Sequence, residues 1–263
     1  MKKNLIVGQS GGPTAVINGS LYGVVTEAMR HTEEIGEIYG MINGIEGFLN
    51  GTVLDFEEAL PGEELEYLKT TPGAYLGSCR YKLPEDLEDA VYPELFQKFE
   101  ELEIGYFFYI GGNDSMDTVS KLSRYAKKVG SDIRVIGEPK TIDNDLVLTD
   151  HTPGFGSAAK YVATTVREIV LDANVYEKKS VTIIEIMGRH AGWLTAASCL
   201  ARANGAKGPD FIYLCEVPFS IDTFLKDVKA KLEEQDAVII AVSEGVKNKD
   251  GRYISEEVQS SAV

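Results

Sequence analysis

The chain has 263 residues, 44% of them hydrophobic and 25% charged, ordinary globular proportions that allow one large core or two modest ones. A net charge of −15 argues against nucleic acid or an anionic membrane surface as a partner. Cys79, Cys199 and Cys215 are too widely spaced for a zinc pattern or a disulfide framework, and no apolar run reaches signal or membrane-spanning length, so a soluble cytoplasmic protein with reduced thiols is expected.

Residues 4–7 read as a short strand that ends in Gly8-Gln9-Ser10-Gly11-Gly12-Pro13. From Thr14 onward, Val16, Ile17, Leu21, Val24, Val25 and Met29 recur at helical spacing. A strand, a glycine turn and a helix in that order can offer backbone N–H groups and a positive helix end to an anion. Glycine in such a turn also has a purely steric reading. No Gly-Lys-Ser/Thr follows, so this is no Walker A loop, and the glycine spacing speaks against a dinucleotide-binding dehydrogenase.

Residues 37–41 read as a second strand, followed by a glycine-rich loop through Gly51, and residues 55–75 as irregular or briefly helical. Gly77-Ser78-Cys79-Arg80-Tyr81-Lys82 is a compact turn with two cations, and Arg80 there is either a phosphate contact or a solvated charge. Residues 84–103 read as an acidic helix.

Two apolar runs follow about thirty residues apart. Residues 106–110 end in Gly111-Gly112-Asn113-Asp114-Ser115, and residues 133–136 lead to Lys140-Thr141-Ile142-Asp143-Asn144-Asp145. Each reads as a buried strand discharging into a polar loop. Between them residues 116–129 are helical, with Ser115 or Asp114 placed as the cap. Residues 161–171 are a helix, and 181–186 are β-branched enough to read as a fully buried strand. Met187-Gly188-Arg189-His190-Ala191-Gly192-Trp193 comes next, then a small-residue helix through Ala203, with Trp193 expected in the core and His190 expected to be structural. A strand at 211–215, a helix at 221–232 and a buried strand at 238–242, ending in Ser243-Glu244-Gly245, precede a polar tail from Lys247. The alternation predicts an α/β fold of doubly wound parallel sheets, split near residues 139–146 into two lobes.

Asp143 and Asp145 place two carboxylates two residues apart, one able to take a proton from a hydroxyl and the other able to hold Mg²⁺. The same residue types also favour a plain turn or helix cap. Arg189 can stabilise charge on a transferring phosphoryl group or serve as a surface ion-pair partner. Glycine turns, carboxylate loops and arginines at successive strand ends together fit phosphoryl transfer, where positioning and charge neutralisation do most of the catalysis.

Gly11-Gly12-Pro13, Gly77 to Arg80, Gly111 to Ser115, Pro139 to Asp145 and Met187-Gly188-Arg189 resemble, in order and spacing, the motif set of the phosphofructokinase family over essentially the whole chain. The resemblance implies a glycolytic phosphotransferase acting on the 1-hydroxyl of fructose 6-phosphate with Mg²⁺. It implies a donor lobe at 1–139 and a sugar-phosphate lobe at 140–263, with the active site in the cleft between them. Asp143 would be the base, with Thr141, Arg189, Lys140 and Asp114 completing the catalytic set. Gly11, Gly12, Arg80, Asp114, Ser115 and Lys140 would hold the donor. Thr141, Ile142, Asp143, Met187, Gly188, Arg189 and Glu244 would hold the sugar phosphate, and Asn113 and Asp145 the metal. ATP-dependent members carry glycine at the positions of Asp114 and Lys140, so the resemblance is to the pyrophosphate-dependent members of the family.

Three departures stand beside it. Most members have Asp where this chain has Asn113. An arginine reaching across from a neighbouring subunit is replaced by Ser180, with Lys178 and Lys179 adjacent. Family members also continue past the position of Val263, so the C-terminal part of the family fold is expected to be absent here. A homodimer or homotetramer is implied. An ATP-dependent enzyme and a non-catalytic sugar-phosphate-binding homologue remain as alternatives.

Overall fold

A computed structural model describes residues 2–14 and 16–256. The chain forms two compact units, Met1–Lys140 and Thr141–Val263. Among the described residues no helix is long and apolar enough to cross a membrane.

The first unit contains β1 (Lys3–Gln9), α1 (Ile17–Ala28), β2 (Ile35–Met41), α2 (Gly44–Leu49), β3 (Val53–Asp55), α3 (Phe56–Ala59), a 3-10 helix (Gly62–Lys69), α4 (Val91–Glu101), β4 (Ile104–Gly111), α5 (Asn113–Val129) and β5 (Arg134–Pro139). Its sheet has the order β3-β2-β1-β4-β5, parallel throughout except for the β2–β3 pair. Successive side chains of a strand face opposite ways, and β1 shows what that builds. Leu5 and Val7 pack with Ile17, Leu21 and Val25 of α1, while Ile6 packs on the other side with Phe107 and with residues of α4 and α5. Both faces are therefore covered, as the doubly wound reading expects.

The second unit contains α6 (Phe155–Ala173), β6 (Ser180–Ile186), α7 (Trp193–Ala197), a 3-10 segment (Ser198–Gly205), β7 (Phe211–Tyr213), α8 (Ile221–Glu234) and β8 (Ala237–Ser243). Its sheet is parallel, in the order β6-β8-β7. Ile239 and Ala241 of the central strand turn toward clusters that include α6 and α7 residues, while Val238 and Ile240 turn toward Val228 of α8.

Several expectations need correction. β6 is an edge strand, not a buried one: Val181 and Ile183 are exposed on the side where α8 covers only β7 and β8. β5 is likewise at an edge and only half-buried, with Ile136 exposed. The supposed loop through Gly51 contains α2, because Ile45 and Phe48 sit three apart and both reach the core. The helix expected over 84–103 starts at Val91, and the strand expected over 211–215 ends at Tyr213. α5 starts at Asn113, so Asp114 and Ser115 lie in its first turn, and its cap position is Gly112. Trp193 is 55% exposed at the start of a five-residue helix and forms no part of the core. His190 is exposed as well.

Candidate active site

In the first unit the chain leaves β1 toward β2 on one side, while β4 is followed by β5 on the other. The loops after β1 and β4 therefore diverge at the carboxyl ends of adjacent strands, the place where open α/β sheets take ligands. A cavity of about 340 Å³ lies there, lined by Ser10, Gly11, Gly12, Cys79, Arg80 and Tyr81 and by the first turn of α5 from Gly112 to Ser115.

Main-chain oxygens tie these loops together. Ser78 Oγ donates to the Gly11 carbonyl at 2.6 Å, and Ser10 Oγ and the Gly11 N–H both donate to the Cys79 carbonyl at 3.3 Å. Gly111 is required by close approach, since a Cβ there would overlap Ser115 Oγ. The loop after β5 joins the group: the Lys140 N–H donates to the Gly111 carbonyl at 2.8 Å, and its Nζ donates to the Gly12 carbonyl at 2.7 Å. The Asp114 carboxylate, in the first turn of α5, pairs with Lys82 at 3.2 Å with both side chains largely in water. Arg80 is exposed and makes no ion pair among the described residues. Asn113 is exposed as the first residue of α5.

Beneath the loops Tyr109 is buried. Burial first, and the neighbouring Cys79 thiol second, push its hydroxyl far above the ordinary phenol range. Gln9, wholly buried, donates to the Ile17 carbonyl and to Asn18, and accepts from the Leu76 N–H at 2.9 Å. Its one sequence signal was a polar residue ending an apolar run.

In the second unit the segment Thr141-Ile142-Asp143 begins with a turn in which the Asp143 N–H donates to Thr141 Oγ1 at 3.1 Å. Ile142 packs against the cluster of Ile186, Leu194 and Ala241, which anchors that turn near the end of β6. Asn144 is the side chain that locks the loop: it accepts from the Thr152 N–H at 2.8 Å and donates to the Asp150 carbonyl at 3.1 Å. Its φ is +60°, a conformation that Asn tolerates better than most residues. Asp145 Oδ1 is buried and accepts no hydrogen bond from a described residue.

The ends of β6 and β8 are laced in the same manner as the first unit's loops. Glu244 Oε1 accepts from the Gly188 N–H at 3.1 Å, and Ser243 Oγ donates to the Gly188 carbonyl at 2.9 Å. A Cβ on Gly245 would overlap the Arg189 carbonyl, so the two loops touch main chain to main chain. Met187 and Arg189 point their side chains into solvent. Glu216, which sequence reasoning missed, accepts from the Gly192 N–H at 2.7 Å. Partial burial alone would raise its pKa, but the N–H of Gly192 and the Cys215 thiol hold the carboxyl below its ordinary value.

The structure thus gathers Gly11, Gly12, Arg80, Asp114, Ser115 and Lys140 in one unit, and Met187, Gly188, Arg189 and Glu244 in the other. Fold and loops define a doubly wound α/β protein whose glycine turns converge at strand carboxyl ends. A family model described as Phosphofructokinase matches residues 4–262, and the chain belongs to that family. It is 44% identical to the pyrophosphate–fructose 6-phosphate 1-phosphotransferase of Rhodospirillum rubrum, over 99% of this chain and 64% of that protein. It is 41% identical to the protein of the same name from Methylococcus capsulatus, over 97% of this chain and 61% of that one. A solved pyrophosphate-dependent phosphofructokinase from Nitrosospira multiformis superposes with a TM-score of 0.83 at 38% identity, over 99% of this chain and 66% of the other. The chain spans less than two thirds of the length of each of these relatives.

Proposed function

We propose that this chain transfers a phosphoryl group, with Mg²⁺, between pyrophosphate and the 1-hydroxyl of fructose 6-phosphate, giving fructose 1,6-bisphosphate in a reversible glycolytic step. The names of its relatives support both substrates. One observation carries the choice of donor. Lys140 Nζ reaches the Gly12 carbonyl at 2.7 Å, while Asp114 stands in the first turn of α5 on the cavity that Gly12 also lines. The positive end of a helix favours a phosphate, but Asp114 already sets a negative charge there, against a nucleotide. Lys140 adds a compact cation, which favours a small and densely charged pyrophosphate. Repulsion of one donor and attraction of the other work together.

In this reading Gly11, Gly12, Arg80, Asp114, Ser115 and Lys140 hold and choose the donor. Thr141, Ile142, Met187, Gly188, Arg189 and Glu244 hold the sugar phosphate. Asp143 takes the proton from the attacking hydroxyl, and Arg189 neutralises charge on the phosphoryl oxygens. Asp145 and Asn113 would hold Mg²⁺. The buried, unbonded Asp145 Oδ1 fits a cation. An Mg²⁺ ion held through one or two carboxylates and the substrate's own phosphates needs no larger cluster of protein ligands. Bound there, the ion would screen the donor's phosphate oxygens. A cytoplasmic location and a homodimer or homotetramer belong to the same proposal and rest on the family resemblance.

The test is formation of fructose 1,6-bisphosphate with pyrophosphate and, separately, with ATP. Turnover with ATP alone would overturn the donor assignment. Thermal stabilisation by fructose 6-phosphate without turnover on either donor would point instead to a non-catalytic sugar-phosphate binder.

A further inference from the structure

Lys121 lies on α5 two turns beyond Asp114, and its side chain is only 3% exposed. A lysine so deeply placed must find acceptors for its ammonium, and it finds three. Nζ donates to the Leu83 carbonyl at 3.0 Å and pairs with Glu85 and Asp117 at 2.6 Å each. The carboxylates of Asp117 and then Glu85 hold its pKa above the ordinary lysine value.

Leu83 and Glu85 close the segment that begins at Cys79. Its first end is fixed by the Cys79 carbonyl, which accepts from Ser10 and Gly11. Its far end is fixed by Lys121, by the buried Leu83 side chain and by the Tyr92 hydroxyl, which donates to the Pro84 carbonyl at 2.5 Å. Between the two ends Arg80 and Tyr81 line one wall of the 340 Å³ cavity, and Lys82 next to them pairs with Asp114. Another wall is the first turn of α5, so the buried Lys121 ammonium ties both walls together, beside the largely solvated Lys82–Asp114 pair.

We propose that Lys121 is a positioning residue for donor binding, holding Arg80 and Lys82 in register with Asn113 and Asp114. The inference rests on the donor-site reading above. Without its charge, Glu85 and Asp117 would repel, the Leu83 carbonyl would lose its partner, and the 80–82 bridge would lose its far support. The sugar-phosphate residues lie in the other unit and should not notice.

The experiment compares wild type, Lys121→Met, Lys121→Arg and Glu85→Gln, with Phe99→Leu as a control that weakens the same core away from the segment. Kinetics are measured against each substrate, with melting temperatures alongside. Lys121→Met should raise the KM for pyrophosphate by about tenfold, the loss expected when one charged hydrogen bond is misplaced. The KM for fructose 6-phosphate should stay at the wild-type value, Lys121→Arg should recover part of the loss, and Glu85→Gln should show a smaller shift in the same direction. Phe99→Leu should lower the melting temperature and leave both KM values alone. Equal effects on both substrates, or losses that only track the folded fraction as in Phe99→Leu, would overturn the inference. Should Lys121→Met fail to fold, an unchanged pyrophosphate KM in Glu85→Gln would overturn it as well. A wild-type protein inactive with pyrophosphate would bring down the donor reading and this inference with it, whereas an active wild type with indifferent variants would sink the inference alone.

Discussion

The ammonium of Lys140 and the carbonyl of Gly12, 128 residues apart in the chain, meet at 2.7 Å. That bond places a cation on the glycine turn after β1. Replacing it by methionine keeps the length and removes the charge. Lys140→Met should cut pyrophosphate-dependent turnover by about tenfold to a hundredfold, the range of one charge-assisted hydrogen bond. The double variant Asp114→Gly with Lys140→Gly should in addition raise the rate with ATP. An unchanged ratio of the two donor activities would count against the pair as the donor selector.

Asp143 begins its turn by donating its N–H to Thr141 Oγ1, and Ile142 beside it is anchored in the core, so the main chain there has supports that an Asp143→Asn change leaves in place. Asp143→Asn should therefore fold normally and lose about 10²–10⁴ in forward rate, the usual contribution of a general base. Circular dichroism and a single-turnover assay together check both halves of that statement.

Asp145 Oδ1 is buried without a hydrogen-bonding partner among the described residues. Asp145→Asn removes the charge and keeps the shape. It should raise the Mg²⁺ concentration needed for half-maximal activity, and the melting temperature without metal should hold or rise, because an unpaired buried carboxylate costs stability. A lower melting temperature with an unaltered Mg²⁺ requirement would refute it.

Asn144 both fixes its loop and sits at φ +60°. Asn144→Ala should cost about 2 kcal/mol in urea unfolding, the scale of leaving buried backbone groups unpaired. Asn144→Gly loses the same bonds but tolerates the backbone, so it should cost less than the alanine variant. The reverse ranking would show that the φ value plays no part.

The Glu216 carboxyl has a folded pKa below its ordinary 4.5. Its stabilising effect is therefore complete above the unfolded value and fades as the pH falls through the lower folded value. The stability gap between wild type and Glu216→Gln should be widest near pH 7, shrink once the pH falls below the ordinary 4.5, and close as the pH passes the lower folded value. A gap that stayed constant down to acid pH would mean that the charge on Glu216 does not matter.

Much of the framework was legible because it repeats locally. The apolar runs ending in glycine became β1, β4, β6 and β8, and the periodic stretches between them became helices. Burial was less legible. The pattern in residues 181–186 is that of a buried strand, yet position in a sheet is decided by partners far away in sequence, and β6 fell at an edge. Trp193 misled for a related reason: its size says core, but the short helix it starts turns it outward. Lys121 and Gln9 passed unnoticed because a single buried polar residue has no periodic signature. The two loops that carry Asp114 and Lys140 are legible as neighbours, since each follows an apolar run and those runs pair as β4 and β5; the choice of these two residues as a donor pair comes from resemblance to a family.

The bonds that lace the loops end almost entirely on main-chain oxygens, those of Gly11, Gly12, Cys79, Leu83 and Gly188. Among the described residues the Arg80 and Asn113 side chains add no bond to the lacing, and Asp114 adds only its largely solvated pair with Lys82. Scaffold and exposed side chains are thus largely separate, with Lys140 serving both. Altering the exposed residues can therefore change what the loops bind while the peptide backbone keeps its course, whereas a change at Lys140 also gives up one of the backbone's ties.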